Sequence, residues 1–83
     1  MFELCVELGS KNKIIDFLFA EGIENFYCIN AEHYISSKSL ISEKEKVNGY
    51  QECVIFRLYL EKQKKEVIFQ KIKDHFHKEV TFL

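Results

Sequence analysis

Tyr50-Gln51-Glu52-Cys53-Val54-Ile55-Phe56-Arg57-Leu58-Tyr59-Leu60 decides the fold. In an extended chain Val54, Phe56, Leu58 and Leu60 share one side, and Cys53, Ile55, Arg57 and Tyr59 share the other. Both sides are largely apolar, which predicts a central strand covered on both faces. Just before it, Asn48-Gly49 is a turn signal. Just after it, from Lys62 to Phe76, the period changes to that of a helix. Val67, Ile68, Ile72 and Phe76 form the apolar stripe with Phe69 beside them, and Lys62, Lys64, Lys65 and Lys73 form the wet face.

The first half of the chain repeats this order. Phe2, Leu4, Val6 and Leu8 alternate with Glu3, Cys5 and Glu7, the pattern of a half-buried strand. Ser10 is positioned to cap a helix over Lys11 to Glu21, with Ile14, Ile15, Leu18 and Phe19 inward and Phe17 widening the face. Gly22 is its stop. A second strand is expected from about Glu24 to Glu32, around Phe26-Tyr27-Cys28-Ile29-Asn30. From His33 to Asn48 the chain is polar with scattered apolar residues, and reads as a long loop or hairpin extension with Leu40, Ile41 and Val47 as anchors. Glu79 to Leu83 closes as a short strand.

The order is strand, helix, strand, strand, helix, strand. Two right-handed βαβ units in this order predict an α+β fold, the ferredoxin-like βαββαβ sandwich. One antiparallel sheet in the order 4-1-3-2 then carries both helices on one face. The other face is more apolar than a wet sheet face should be, with Cys5, Cys53, Ile55 and Tyr59 among Glu3, Glu7 and Arg57. An acidic residue of the first strand is expected to pair with Arg57. The open face is expected to pack on another copy of the chain.

At 83 residues and 9.9 kDa the chain is sized for a single domain over 1–83. Twelve basic residues against 13 acidic ones leave a net charge of -1, which gives no support to a nucleic-acid partner. An aromatic strand of the RNA-recognition kind is not met either, because Phe56 falls on the helix-covered side. The apolar runs fall far short of the roughly 20 residues of a membrane helix, so no membrane insertion is expected. The start of the chain does not look like a signal peptide. Cys5, Cys28 and Cys53 are odd in number and form no Cys-x-x-Cys, which predicts buried reduced thiols in a cytoplasmic protein.

The element order, the polar stretch after strand two, and the run from Ala31-Glu32-His33 through Leu40 and Glu43-Lys44-Glu45-Lys46-Val47-Asn48-Gly49 into Val54-Ile55-Phe56 resemble the PII-like proteins. More narrowly, Gly22-Ile23-Glu24-Asn25-Phe26, His33 and Glu45-Lys46-Val47-Asn48-Gly49 are similar to the short PII-like group associated with heavy-metal efflux systems. The resemblance covers nearly the whole chain. It implies a homotrimer whose open sheet faces meet at the centre, with the polar loop at the subunit clefts. The chain departs from true PII signalling proteins in its shorter loop, in Ala31-Glu32-His33 where they have a Gly-rich lead-in, and in lacking a dense Lys/Arg phosphate cluster.

His33, Glu32 and Cys28 are the candidate metal ligands, because imidazole, carboxylate and thiolate all bind transition metals. A divalent transition metal is the candidate cofactor. Cys28 and His33 differ by an odd number, so a regular strand points them to opposite faces, and a shared site needs a bend at Glu32 or ligands from a neighbour. Without either, His33 is a solvated loop residue. His75 and His77 end the second helix and suit its dipole. There is no Gly-x-Ser-x-Gly, paired-histidine zinc helix or P-loop, so the chain is not expected to be an enzyme. The expected function is that of a small regulatory or sensor protein binding a metal ion or small ligand at subunit clefts. The alternative is an interaction module whose 33–48 segment binds a protein partner without a ligand.

Overall fold

The computed structural model describes residues 1–34, 50–76 and 78–83. The segment read as a loop lies outside the described residues beyond Tyr34, as do Leu40, Ile41, Val47, the Asn48-Gly49 turn and His77. In the described residues the elements run β1 (Phe2–Glu7), a single 3-10 turn (Leu8–Ser10), α1 (Lys11–Ala20), β2 (Phe26–Tyr34), β3 (Tyr50–Leu58), α2 (Lys62–Phe76) and β4 (Val80–Phe82). No helix among them is long and apolar enough to cross a membrane.

The chain is α+β, with a four-stranded sheet in the order β2-β3-β1-β4 and every pair antiparallel. Read from the other edge this is the order 4-1-3-2 expected from the sequence. β3 is central, as its two apolar sides require. The buried cluster joins Leu4 and Val6 of β1, and Val54, Phe56 and Leu58 of β3, to Ile14 and Leu18 of α1 and Ile68 and Ile72 of α2. Both helices therefore cover the same face of the sheet. Aromatic rings close the ends of this layer: Phe69 packs on Phe82 at 4.3 Å, and Phe17 meets Phe76 edge-on at 5.4 Å between ring centres.

Gly22 ends α1 as the sequence predicts. Its φ of +82° is the left-handed conformation. The Ile23 amide donates to the Leu18 carbonyl and the Gly22 amide to Phe19, which satisfies two carbonyls that the helix would otherwise leave open. Ile23 is buried in the core just beyond this turn. Lys71 of α2 then reaches Glu21 at 2.6 Å and ties the two helices at this end.

Several local expectations are corrected. Ser10 stands at the cap position but caps nothing; its hydroxyl donates instead to Glu79 at 2.7 Å. The preceding 3-10 turn aims it at the start of β4, and a carboxylate is the stronger acceptor there. That same turn takes Leu8 off the strand face, leaving it exposed. Val67 also points outward and is exposed, because Ile68 and Ile72 at four-residue spacing take the contact with the sheet. β2 runs past Glu32 to Tyr34, since β3 begins early enough at Tyr50 to pair with it. Tyr34 stacks on Tyr50 at 5.3 Å to hold that end.

Candidate functional site

Directly opposed residues of adjacent strands share a face, so the register sorts every strand side chain. Cys5 opposes Ile55, Ile55 opposes Ile29, and Cys53 stands between Glu7 and Ala31. The face without helices therefore carries Tyr27, Ile29, Ala31 and His33 of β2. Beside them lie Gln51, Cys53, Ile55 and Arg57 of β3, and Glu3, Cys5 and Glu7 of β1. Tyr59, just past β3, meets Tyr27 edge-on at 6.2 Å. Tyr27 is 57% exposed, Ile29 40% and Tyr59 55%, so this apolar surface has no cover from the described residues of its own chain.

One charge pair on this face closes within the chain. Arg57 Nε donates to Glu3 Oε2 at 2.7 Å, which chooses Glu3 over Glu7, the two acidic partners that the alternation leaves open. The hydrogen bond and charge of Glu3 push Arg57 further up from its already high range. The pair removes a lone charge that would oppose covering the face.

The three predicted ligands lie on β2 but do not converge. Cys28 opposes Phe56 and Glu32 opposes Glu52, which puts both on the helix-bearing side; His33 opposes Gln51 on the open side. Because the strand stays regular to Tyr34, the bend at Glu32 that a one-chain site needs is absent there. Cys28 and Glu32 share a side but stand four residues apart, about 13 Å along a strand, too far for one ion. Among the described residues no three His, Cys, Asp or Glu side chains come close enough together to hold a metal ion. His33 is a strand residue and not the loop residue the sequence suggested.

Each predicted ligand has a distinct setting. Glu32 accepts from the Tyr34 hydroxyl at 3.0 Å, and this bond is the main reason the phenol is pushed up. Glu32 and Glu52 face each other across the ladder, a like-charge pairing that costs stability unless a cation relieves it. Cys28 is exposed on the outer strand, and partial burial of the thiol pushes it up against the lowering charge of Lys11. The expectation of three buried thiols thus fails at Cys28, because the helices cover the middle of the sheet and leave its outer strand bare. Of the helix-end histidines, His75 is exposed in the last turn of α2, 6.4 Å from the Phe17 ring.

A different set of ligating residues is gathered by the fold. Cys5, Glu7, His33 and Cys53 line one concavity of about 410 Å³ at the open face, with Lys78 and Glu79 at its β4 side. Cys5 is half-buried and Cys53 buried. Burial, first, and the neighbouring Cys53 thiol push Cys5 up to about 11. The alternation places Cys5 and Cys53 on one face from sequence. His33 joins them only if β2 continues beyond Glu32, and the signal for that was Tyr34 and Tyr50 as a cross-strand aromatic pair. No protein-family model and no curated protein matches the chain.

Proposed function

We propose that the chain is a small PII-like regulatory or sensor protein, a cytoplasmic homotrimer of ferredoxin-like βαββαβ protomers rather than an enzyme, binding a divalent transition metal or small ligand at clefts between its subunits. The observation that carries this reading is the helix-free sheet face. Tyr27, Ile29 and Tyr59 are exposed there, Ile55 lies between them, and the one arginine is already paired with Glu3. A second copy of the chain is the occupant that such a face suits, because its exposed groups are chiefly apolar and its arginine is already neutralised by Glu3.

The placing of Cys28, Glu32 and His33 on the two sides of an edge strand favours clefts over an internal site. An edge strand can offer each side to a different neighbour, and the missing ligands then come from that neighbour. The opposed Glu32 and Glu52 supply the attraction for a cation. Co(II) serves as the probe, through its visible absorption. The assembled protein is expected to bind Co(II), and His33→Ala to weaken that binding. Ile29→Lys places a charge on the contact face at a site already 40% exposed in one chain, so it separates subunits without unfolding them. Loss of Co(II) binding in Ile29→Lys supports a cleft site; full retention in separated chains rejects it. An assembled wild-type protein that binds no divalent ion would favour the interaction module.

A further inference from the structure

We propose that Cys5 and Cys53 form a two-thiolate site for a soft d10 cation, Cu(I) or its analogue Ag(I), built within a single chain. It goes beyond the cleft reading: the residues, the ion class and the number of chains required all differ.

The two thiols are diagonal neighbours on adjacent central strands, since Cys5 opposes Ile55 and Cys53 opposes Glu7. Both side chains line the same concavity at the open face. Coordination number decides which ion fits. Zinc asks for four ligands, and no three ligating side chains converge among the described residues. Thiolates favour Cu(I), zinc and iron–sulfur clusters, and of these only Cu(I) is satisfied by two thiolates in a line.

The geometry also separates an ion bridge from a disulfide. Diagonal neighbours stand about 7–8 Å apart at Cα, beyond the roughly 6.8 Å limit of a disulfide. Two metal–sulfur bonds of about 2.3 Å in place of one S–S bond of about 2.0 Å span the longer gap. Binding releases both thiol protons to solvent and leaves a bis-thiolate complex with one net negative charge. Lys78 lines the same concavity together with Glu7, Glu52 and Glu79, so the complex is held by its two metal–sulfur bonds and not by the surrounding charge. The concavity gives the ion its way in, and Cys53, 7% exposed, gives a dry floor that protects a bound Cu(I) from water.

The test is an oxygen-free competition in which Cu(I) is presented to the folded chain as its bicinchoninate complex. The wild type is expected to withdraw about one Cu(I) per chain and to gain a near-ultraviolet sulfur-to-copper absorption. Cys5→Ser and Cys53→Ser should each lose both signals, and Cys28→Ser should keep them. Circular dichroism checks the fold of each variant; Cys5→Ser decides the matter if the buried Cys53→Ser fails to fold. Copper uptake unchanged in Cys5→Ser, uptake lost in Cys28→Ser, or no uptake by folded wild type overturns the proposal. The Ile29→Lys chain should take up Cu(I) as the wild type does even where Co(II) binding is lost. Uptake confined to the assembled protein overturns the single-chain site and leaves the cleft reading standing.

Discussion

Phe56 and Ile55 are neighbours in sequence on opposite faces of β3, and replacing each with Ala separates the two faces energetically. Phe56 is fully buried, 5.9 Å from the Phe26 ring, and opposes Leu4 on the other side. Its truncation removes a whole ring from a layer held between two helices and the sheet, and the rigid sheet backbone limits collapse into the void. Phe→Ala changes at such positions cost about 3–5 kcal/mol. A chain of this length has a total stability of about 4–12 kcal/mol, so Phe56→Ala removes about a quarter or more of it. At about 4–8 °C per kcal/mol, the melting temperature should fall by at least about 12 °C. Ile55 is only half-buried in one chain, so Ile55→Ala should cost less than Phe56→Ala when both are measured by circular dichroism on dilute, dissociated protein. Its cost should grow with protein concentration as assembly contributes, whereas that of Phe56→Ala should not. A fall of less than about 4 °C for Phe56→Ala, which corresponds to under about 1 kcal/mol, would refute the assignment of the helix-covered face. So would an Ile55→Ala cost that exceeds it under dilute conditions.

Gly22→Ala should destabilise the chain by about 1 kcal/mol, because a Cβ at φ +82° is strained although it meets no atom within 4 Å; Gly22→Asn should cost less in the same urea titration. The Ser10 hydrogen bond, chiefly, and the Lys13 ammonium hold Glu79 below the ordinary carboxylate range. A depressed carboxyl stabilises the fold above its unfolded pKa and loses that contribution as pH falls through the folded value. Ser10→Ala should therefore be less stable than wild type at neutral pH, with the gap closing in acid; a gap constant with pH contradicts the bond's role. With iodoacetamide at pH 8, the exposed Cys28 should be labelled first, and Cys5, with its pKa of about 11, only slowly. Equal rates at Cys5 and Cys28 would contradict the burial seen on the open face.

The sheet was legible because period-two alternation survives in β1 and β3 without interruption, and helical spacing in Lys62–Phe76 could not be mistaken for it. That Arg57 pairs with an acidic residue of β1 was legible for the same reason, but the choice of Glu3 over Glu7 comes from the register, which alternation does not fix. Alternation does not say where a strand ends. Leu8 fits the β1 pattern, yet the chain turns off the sheet before it. His33 and Tyr34 look like loop residues, yet cross-strand partners at Gln51 and Tyr50 keep them in β2. The candidate site suffered most from this, since two residues of added strand move His33 away from Glu32 and Cys28 and toward Cys5 and Cys53. Cys28 was read as buried from its residue type; its exposure follows from strand order, which puts β2 at the sheet edge where the helices do not reach.

Light scattering during size exclusion at micromolar concentration shows whether other copies of the chain cover the open sheet face. The wild type is expected to have a mass of about three chains of 9.9 kDa, as a closed cyclic trimer requires, and Ile29→Lys that of a single chain. A wild-type mass of one chain, or an Ile29→Lys mass equal to that of the wild type, would contradict that arrangement.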